Sequence, residues 1–80
     1  MDKQEVREKI SALVKAKAEG ISTVNLEDNL RNALGLDSID IFELMLECEN
    51  LYDIALGESA DEVNTVQDLT DLVCAKLKVN

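Results

Sequence analysis

Ser38 lies between Asp37 and Asp40, in the string Leu34-Gly35-Leu36-Asp37-Ser38-Ile39-Asp40, and its hydroxyl is the first group to test for chemistry. A serine in such a place can act as a nucleophile, cap a helix or accept a modifying group. Nucleophilic attack needs a base beside the hydroxyl. The chain has no His, so Ser-His-Asp and Cys-His arrangements are excluded. There is no Gly-x-Ser-x-Gly elbow, and no Lys lies between Arg31 and Lys76. No catalytic residue is expected. The missing imidazole also removes the commonest metal ligand, and the acids do not fall at EF-hand spacing, so no metal site is expected either. Cys48 and Cys74 form neither a CxxC pair nor a ligand-spaced cluster. They read as small buried hydrophobes in a reducing compartment. Capping, the ordinary role of a serine at a helix start, and modification remain.

Charge narrows the range of partners. The net charge is −9, and it is unevenly spread. Up to Arg31, the bases Lys3, Arg7, Lys9, Lys15, Lys17 and Arg31 balance Asp2, Glu5, Glu8, Glu19, Glu27 and Asp28. From 32 to 75 there is no base at all, against Asp37, Asp40, Glu43, Glu47, Glu49, Asp53, Glu58, Asp61, Glu62, Asp68 and Asp71. Phosphate backbones and anionic lipid surfaces repel such a stretch, whereas a basic protein surface is attracted and steered to it. Aromatic content is 2%, Phe42 and Tyr52, so stacking platforms for nucleic-acid bases are missing too. Neither nucleic-acid binding nor membrane insertion is expected. No apolar run approaches the ~20 residues of a membrane span, and acids at Asp2, Glu5 and Glu8 argue against a signal peptide. The expectation is one cytoplasmic domain over residues 1–80, acting as a monomer, with a small but sufficient core at 46% hydrophobic content.

The elements that must position Ser38 read as helices. Val6, Ile10, Leu13 and Val14 recur at helical spacing, with acids near the start and Lys15 and Lys17 near the end. Residues 20–36 form a long connection held to the core by Ile21, Val24, Leu26, Leu30 and Leu34, with one helical turn near 27–33. Asp37 or Ser38 caps a second helix that runs to about Tyr52 or Asp53. A short third helix is expected near 58–63. Thr65-Val66-Gln67-Asp68 resembles a capping box with Asp in place of Glu and opens a last helix with Val66, Leu69, Val73 and Leu77 on one stripe. No strand pattern competes. The fold class expected is all-α: a small four-helix bundle with a long loop after the first helix and a short third helix.

The second helix carries two apolar faces. At 100° per residue, Ile41, Leu44, Met45, Cys48, Leu51 and Tyr52 form a core stripe. Ile39, Phe42 and Leu46 form a second row, flanked by Asp40, Glu43 and Glu47 on one side and Glu49 on the other. That row is either covered by the loop or the short helix, or it is a docking strip for a partner with an apolar groove ringed by bases.

The string around Ser38 resembles the attachment motif of acyl carrier proteins, Leu-Gly-x-Asp-Ser-Leu followed by Asp in its general form. The resemblance continues through Glu43-Leu44, Asp53 after Tyr52, and Thr65-Val66-Gln67-Asp68-Leu69, and so spans essentially the whole chain. It implies that Ser38 receives 4′-phosphopantetheine from a phosphopantetheinyl transferase, and that acyl groups ride on this arm as thioesters between acyl-transferring and synthase enzymes with basic docking patches. It places Asp37, Ile39 and Asp40 around the attachment site. It assigns Ile39, Asp40, Phe42, Glu43, Leu46, Glu47 and Glu49 to partner binding. It puts an acyl pocket between the second and third helices, with Leu30, Cys48, Leu56, Ala60 and Val63 as its lining. Asn32-Ala33, Asn50, Gly57 and the large Phe42 depart from the family pattern without touching the attachment chemistry. They leave open fatty-acid, polyketide and other specialised pathways. The alternatives are a carrier for an aminoacyl or aryl group, and an acidic helical interaction module that is never modified.

Overall fold

Asp2 opens the first helix: its carboxylate accepts the N–H of Glu5, and α1 runs Lys3–Lys17. Val6, Ile10 and Val14 are buried on one face, and Leu13 at the edge of that stripe is half-buried. Glu5 sits in the first turn and Lys15 and Lys17 in the last, each at the end of the helix dipole that favours its sign. The structure, a computed structural model, describes residues 2–18, 20–56 and 62–78.

The second helix, α2, spans Ser38–Tyr52 and buries Ile41, Leu44, Met45 and Cys48. It ends at Asp53, which adopts the left-handed conformation and donates its N–H to the carbonyl of Glu49. The third, α3, spans Val66–Leu77 and buries Val66, Leu69, Thr70, Val73 and Cys74. The box read from Thr65 and Asp68 is present in both directions: Thr65 Oγ1 accepts the N–H of Asp68, and Asp68 Oδ2 accepts the N–H of Thr65. The N–H groups of Thr65 and Asn64, both donating to Asp68 Oδ2, hold the Asp68 carboxyl below its usual pKa, because they stabilise the charged form.

α1 touches both other helices. Its C-terminal Lys17 meets Glu43 and Glu47 in the middle of α2, and its N-terminal Lys3 meets Asp71 of α3. One apolar cluster fills the space between them and takes in Leu30, Leu34, Leu36, Leu56 and Val63 from the connections.

The long connection is tied down by its backbone as well as its leucines. The N–H of Leu30 donates to Asn64 O at 2.8 Å, that of Val66 to Asp28 O at 3.1 Å, and that of Gln67 to Leu26 O at 2.8 Å. Asn29 and Thr65 thereby form an isolated antiparallel bridge, and no named strand occurs among the described residues. The loop is stitched to the start of α3, which satisfies backbone groups that a buried loop would otherwise leave unpaired.

Three expectations need correction or restriction. Leu51, read as part of the core stripe, is 49% exposed. It lies at the rim of the stripe in the last turn of α2, and the buried centre of that face is Ile41, Leu44, Met45 and Cys48. The helical turn read at 27–33 is displaced to 29–35. Asn29 Oδ1 accepts from the N–H groups of Arg31 and Asn32, and Ala33 and Gly35 bond back to Asn29 and Arg31. The turn ends on Gly35, whose φ of +72° an L side chain rarely adopts, and it does not extend into a helix. The all-helical class holds, with three α-helices among the described residues; the short helix read at 58–63 falls largely on residues 57–61, outside the described residues.

Candidate functional site at the start of the second helix

Two neighbouring positions compete to cap α2, and the structure selects Asp37. Its backbone is extended, and its Oδ1 accepts the N–H of Asp40 at 2.8 Å. The Asp40 carboxylate reaches back to the N–H of Asp37 at 3.3 Å, completing a capping box built from two aspartates. Ser38 is therefore the first helical residue, exposed, and its hydroxyl is not needed as a cap. Behind it the loop is anchored. Leu34 and Leu36 are buried, and the N–H of Leu36 donates to Leu30 O at 3.0 Å, closing the turn that contains Gly35. A rigid turn thus presents one free hydroxyl at a helix N-terminus.

Among the described residues, the N–H groups of Ser38 and Ile39 meet no protein acceptor, as expected for the first turn of a helix. Unpaired donors and the positive end of the dipole favour an anion at this position. Asp37 and Asp40 already supply negative charge there, and each is fixed by a bond to backbone.

The row read on the outer face of α2 is brought together in the open. Ile39, Phe42 and Leu46 are 69%, 52% and 41% exposed, so the described loop does not cover them. Glu43 and Glu47 are exposed beside them and Asp40 is half-buried. Glu49 differs from the other acids. Its Oε2 accepts the N–H of Leu56 at 2.6 Å, and its carbonyl accepts from Ile54 as well as Asp53. Its side chain thus holds the turn that leaves α2, a role that charge patterning alone does not reveal.

Sequence reasoning also missed Lys17. The stretch from 32 to 75 has no base of its own, yet Lys17 Nζ lies 3.5 Å from Glu43 Oε1 and 3.9 Å from Glu47 Oε1. No local signal could have found this contact, because it depends on how α1 lies against α2.

Of the residues assigned to an acyl pocket, Leu30, Cys48, Leu56 and Val63 are all buried in one apolar cluster, and Ala60 lies outside the described residues. Burial, reinforced by Glu47 and Glu49, pushes the Cys48 thiol up to about 11, so it stays neutral and unreactive near neutral pH. Cys74, buried on α3, is shifted in the same direction by its burial. Among the described residues, no helix is long and apolar enough to cross a membrane.

Comparison with known proteins agrees with this geometry. Residues 4–73 match the family model of the phosphopantetheine attachment site. The chain is 37% identical over 75 residues to an acyl carrier protein of Amoebophilus asiaticus, covering 91% of this chain and 94% of that one. It is 32% identical over 79 residues to an acyl carrier protein of Chlorobium luteolum, covering 95% of this chain and all of the relative. The crystal structure of an acyl carrier protein from Thermotoga maritima superposes with a TM-score of 0.81 at 28% identity, covering 98% of this chain and 93% of the other. With a free serine hydroxyl at a helix start, an acidic helix beside it and a family match across most of its length, the chain belongs to the acyl carrier protein family and bears the phosphopantetheine attachment domain.

Proposed function

We propose that Ser38 is the residue that carries the phosphopantetheine arm, that α2 is the surface partners recognise, and that the protein acts as a non-catalytic cytoplasmic monomer. The observation that carries this reading is the division of labour at the helix start: Asp37 caps, and Ser38 is exposed and uncommitted. When bound, the arm supplies a terminal thiol that holds acyl groups as thioesters. The chain's own work is positional. Ser38 offers its oxygen for a phosphodiester bond, formed as a transferase displaces adenosine 3′,5′-bisphosphate from coenzyme A. The N–H groups of Ser38 and Ile39 favour the resulting anion. Asp37 and Asp40 hold the junction rigid. Ile39, Phe42 and Leu46 supply apolar contact, while Asp40, Glu43 and Glu47 steer basic enzymes to it. Glu49 belongs to the same acidic surface, with one oxygen committed to Leu56. The buried cluster of Leu30, Cys48, Leu56 and Val63 is the proposed place for an acyl chain. Their apolar side chains would part to shield the chain from water.

Incubation with a phosphopantetheinyl transferase and coenzyme A, followed by peptide mass spectrometry, tests the assignment. A gain of ~340 Da on the peptide containing Ser38 is expected, the mass of the added group from its covalent formula. An unmodified chain, or an adduct that persists in Ser38→Ala, overturns it. The thioester species on the protein isolated from cells would assign fatty-acid, polyketide or other cargo.

A further inference from the structure

The acids beside the apolar row already have a partner inside the molecule. Lys17, in the last turn of α1, sets one ammonium 3.5 Å from Glu43 and 3.9 Å from Glu47. The lysine is the more enclosed member of both pairs, 22% exposed against 53% and 47% for the carboxylates. Its stem rests against the protein while its head faces two acids, so its position is better defined than that of a free surface lysine. An ammonium has three donors and can serve both carboxylates at once. The outer edges of Glu43 and Glu47 remain open to solvent. The two carboxylates that the docking reading offers to basic enzymes are thus shared with a cation supplied by the neighbouring helix.

We propose that Lys17 is a built-in counter-ion of the docking face and a specificity-determining residue of this carrier. This rests on the docking reading above. Lys17 does two things to an approaching basic surface. It weakens the local negative field that steers association, and it occupies the α1 side of both carboxylates. A partner whose cations reach the outer side of Glu43 and Glu47 binds with Lys17 in place. One whose cations must approach from the α1 side has to displace it and is disfavoured. Lys17 therefore sets a ceiling on electrostatic affinity and filters partners by the direction of their basic residues. The same contact ties α1 to α2, so the element that holds the fold also tunes recognition.

The experiment compares Lys17→Gln, Lys17→Arg and Lys15→Gln with the parent protein. Association rate and Kd are measured against a phosphopantetheinyl transferase over a salt series, with circular dichroism confirming that each variant is folded. Lys15 lies in the same last turn, is exposed, and makes no ion pair among the described residues, so Lys15→Gln reports the effect of one lost charge alone. Lys17→Gln is expected to tighten binding about two- to five-fold beyond Lys15→Gln, the scale of an exposed ion pair. The gain should lie mainly in association and fade at high salt. Lys17→Arg should behave like the parent. If Lys17→Gln does not fold, Lys17→Met, which keeps the apolar stem, takes its place. The double variant Glu43→Gln/Glu47→Gln separates this idea from the reading beneath it. It should weaken binding by itself and abolish the extra effect of Lys17→Gln. Unchanged binding in that double variant would overturn the docking reading and this proposal together. Weakened binding there, with Lys17→Gln no better than Lys15→Gln or worse than the parent, would overturn the Lys17 proposal alone.

Discussion

Phe42 offers the sharpest test, because a docking residue and a packing residue differ in what their loss does. A buried phenylalanine truncated to Ala costs about 3–5 kcal/mol of stability. Phe42 is 52% exposed, so about half of its surface is already in water. Full burial of such a side chain is worth about 1.5–3 kcal/mol, which leaves roughly 1 kcal/mol to lose here. The better helix propensity of Ala offsets up to about 0.5 kcal/mol of that. Phe42→Ala should therefore lower stability by about 1 kcal/mol or less. Its effect on binding should be larger. A central aromatic contact is commonly worth about 2 kcal/mol, close to thirty-fold in Kd, and the change should appear chiefly as faster dissociation. Urea denaturation of the variant beside a kinetic binding measurement on a transferase gives both numbers. A stability loss near 3 kcal/mol, with normal affinity in the folded fraction, would refute the reasoning and make Phe42 an ordinary packing residue.

Three further outcomes follow from particular contacts. Asp37→Ala should cost about 1 kcal/mol by removing the α2 cap, whereas Ser38→Ala should change stability by no more than about 0.5 kcal/mol while eliminating the phosphopantetheine adduct; thermal melts and mass spectrometry check both halves. The acids from Asp37 to Asp71 outnumber the cations that reach them, Lys3 and Lys17 in the described ion pairs, so moderate salt should raise the melting temperature; a flat or falling trend from low to moderate salt contradicts this. The Cys48 thiol is neutral in the folded protein up to about 11, against 9.0 for an unperturbed thiol, so the unfolded chain loses this proton first and stability falls as pH rises from about 9 towards 11. Denaturant melts across that range should show the decline, Cys48→Ala should make it shallower while leaving the part due to Cys74, and iodoacetamide should leave Cys48 unlabelled in the native state near neutral pH.

Some features depend only on residues a few positions apart, and the amino-acid sequence by itself determines them. The stripe of Val6, Ile10 and Val14, the box formed by Thr65 and Asp68, the end of α2 near Tyr52 and the grouping of Ile39, Phe42 and Leu46 in one row follow from the 3.6-residue period and from side chains bonding backbone three positions away, whereas the exposure of that row is a tertiary outcome. The attachment motif is equally local, which is why Ser38 can be singled out by its neighbours. The choice between Asp37 and Ser38 as cap is not settled in the same way, since adjacent residues of similar capping strength differ only in which one adopts the extended conformation. Tertiary structure decided the rest. Leu51 sits on a rim whose exposure depends on where the neighbouring helices lie. The bonds from Leu30, Val66 and Gln67 that join the loop to α3 connect segments with no sequence pattern in common. The ammonium of Lys17 between Glu43 and Glu47 exists only because α1 lies against α2, and pairing at a distance along the chain leaves no periodic trace in sequence.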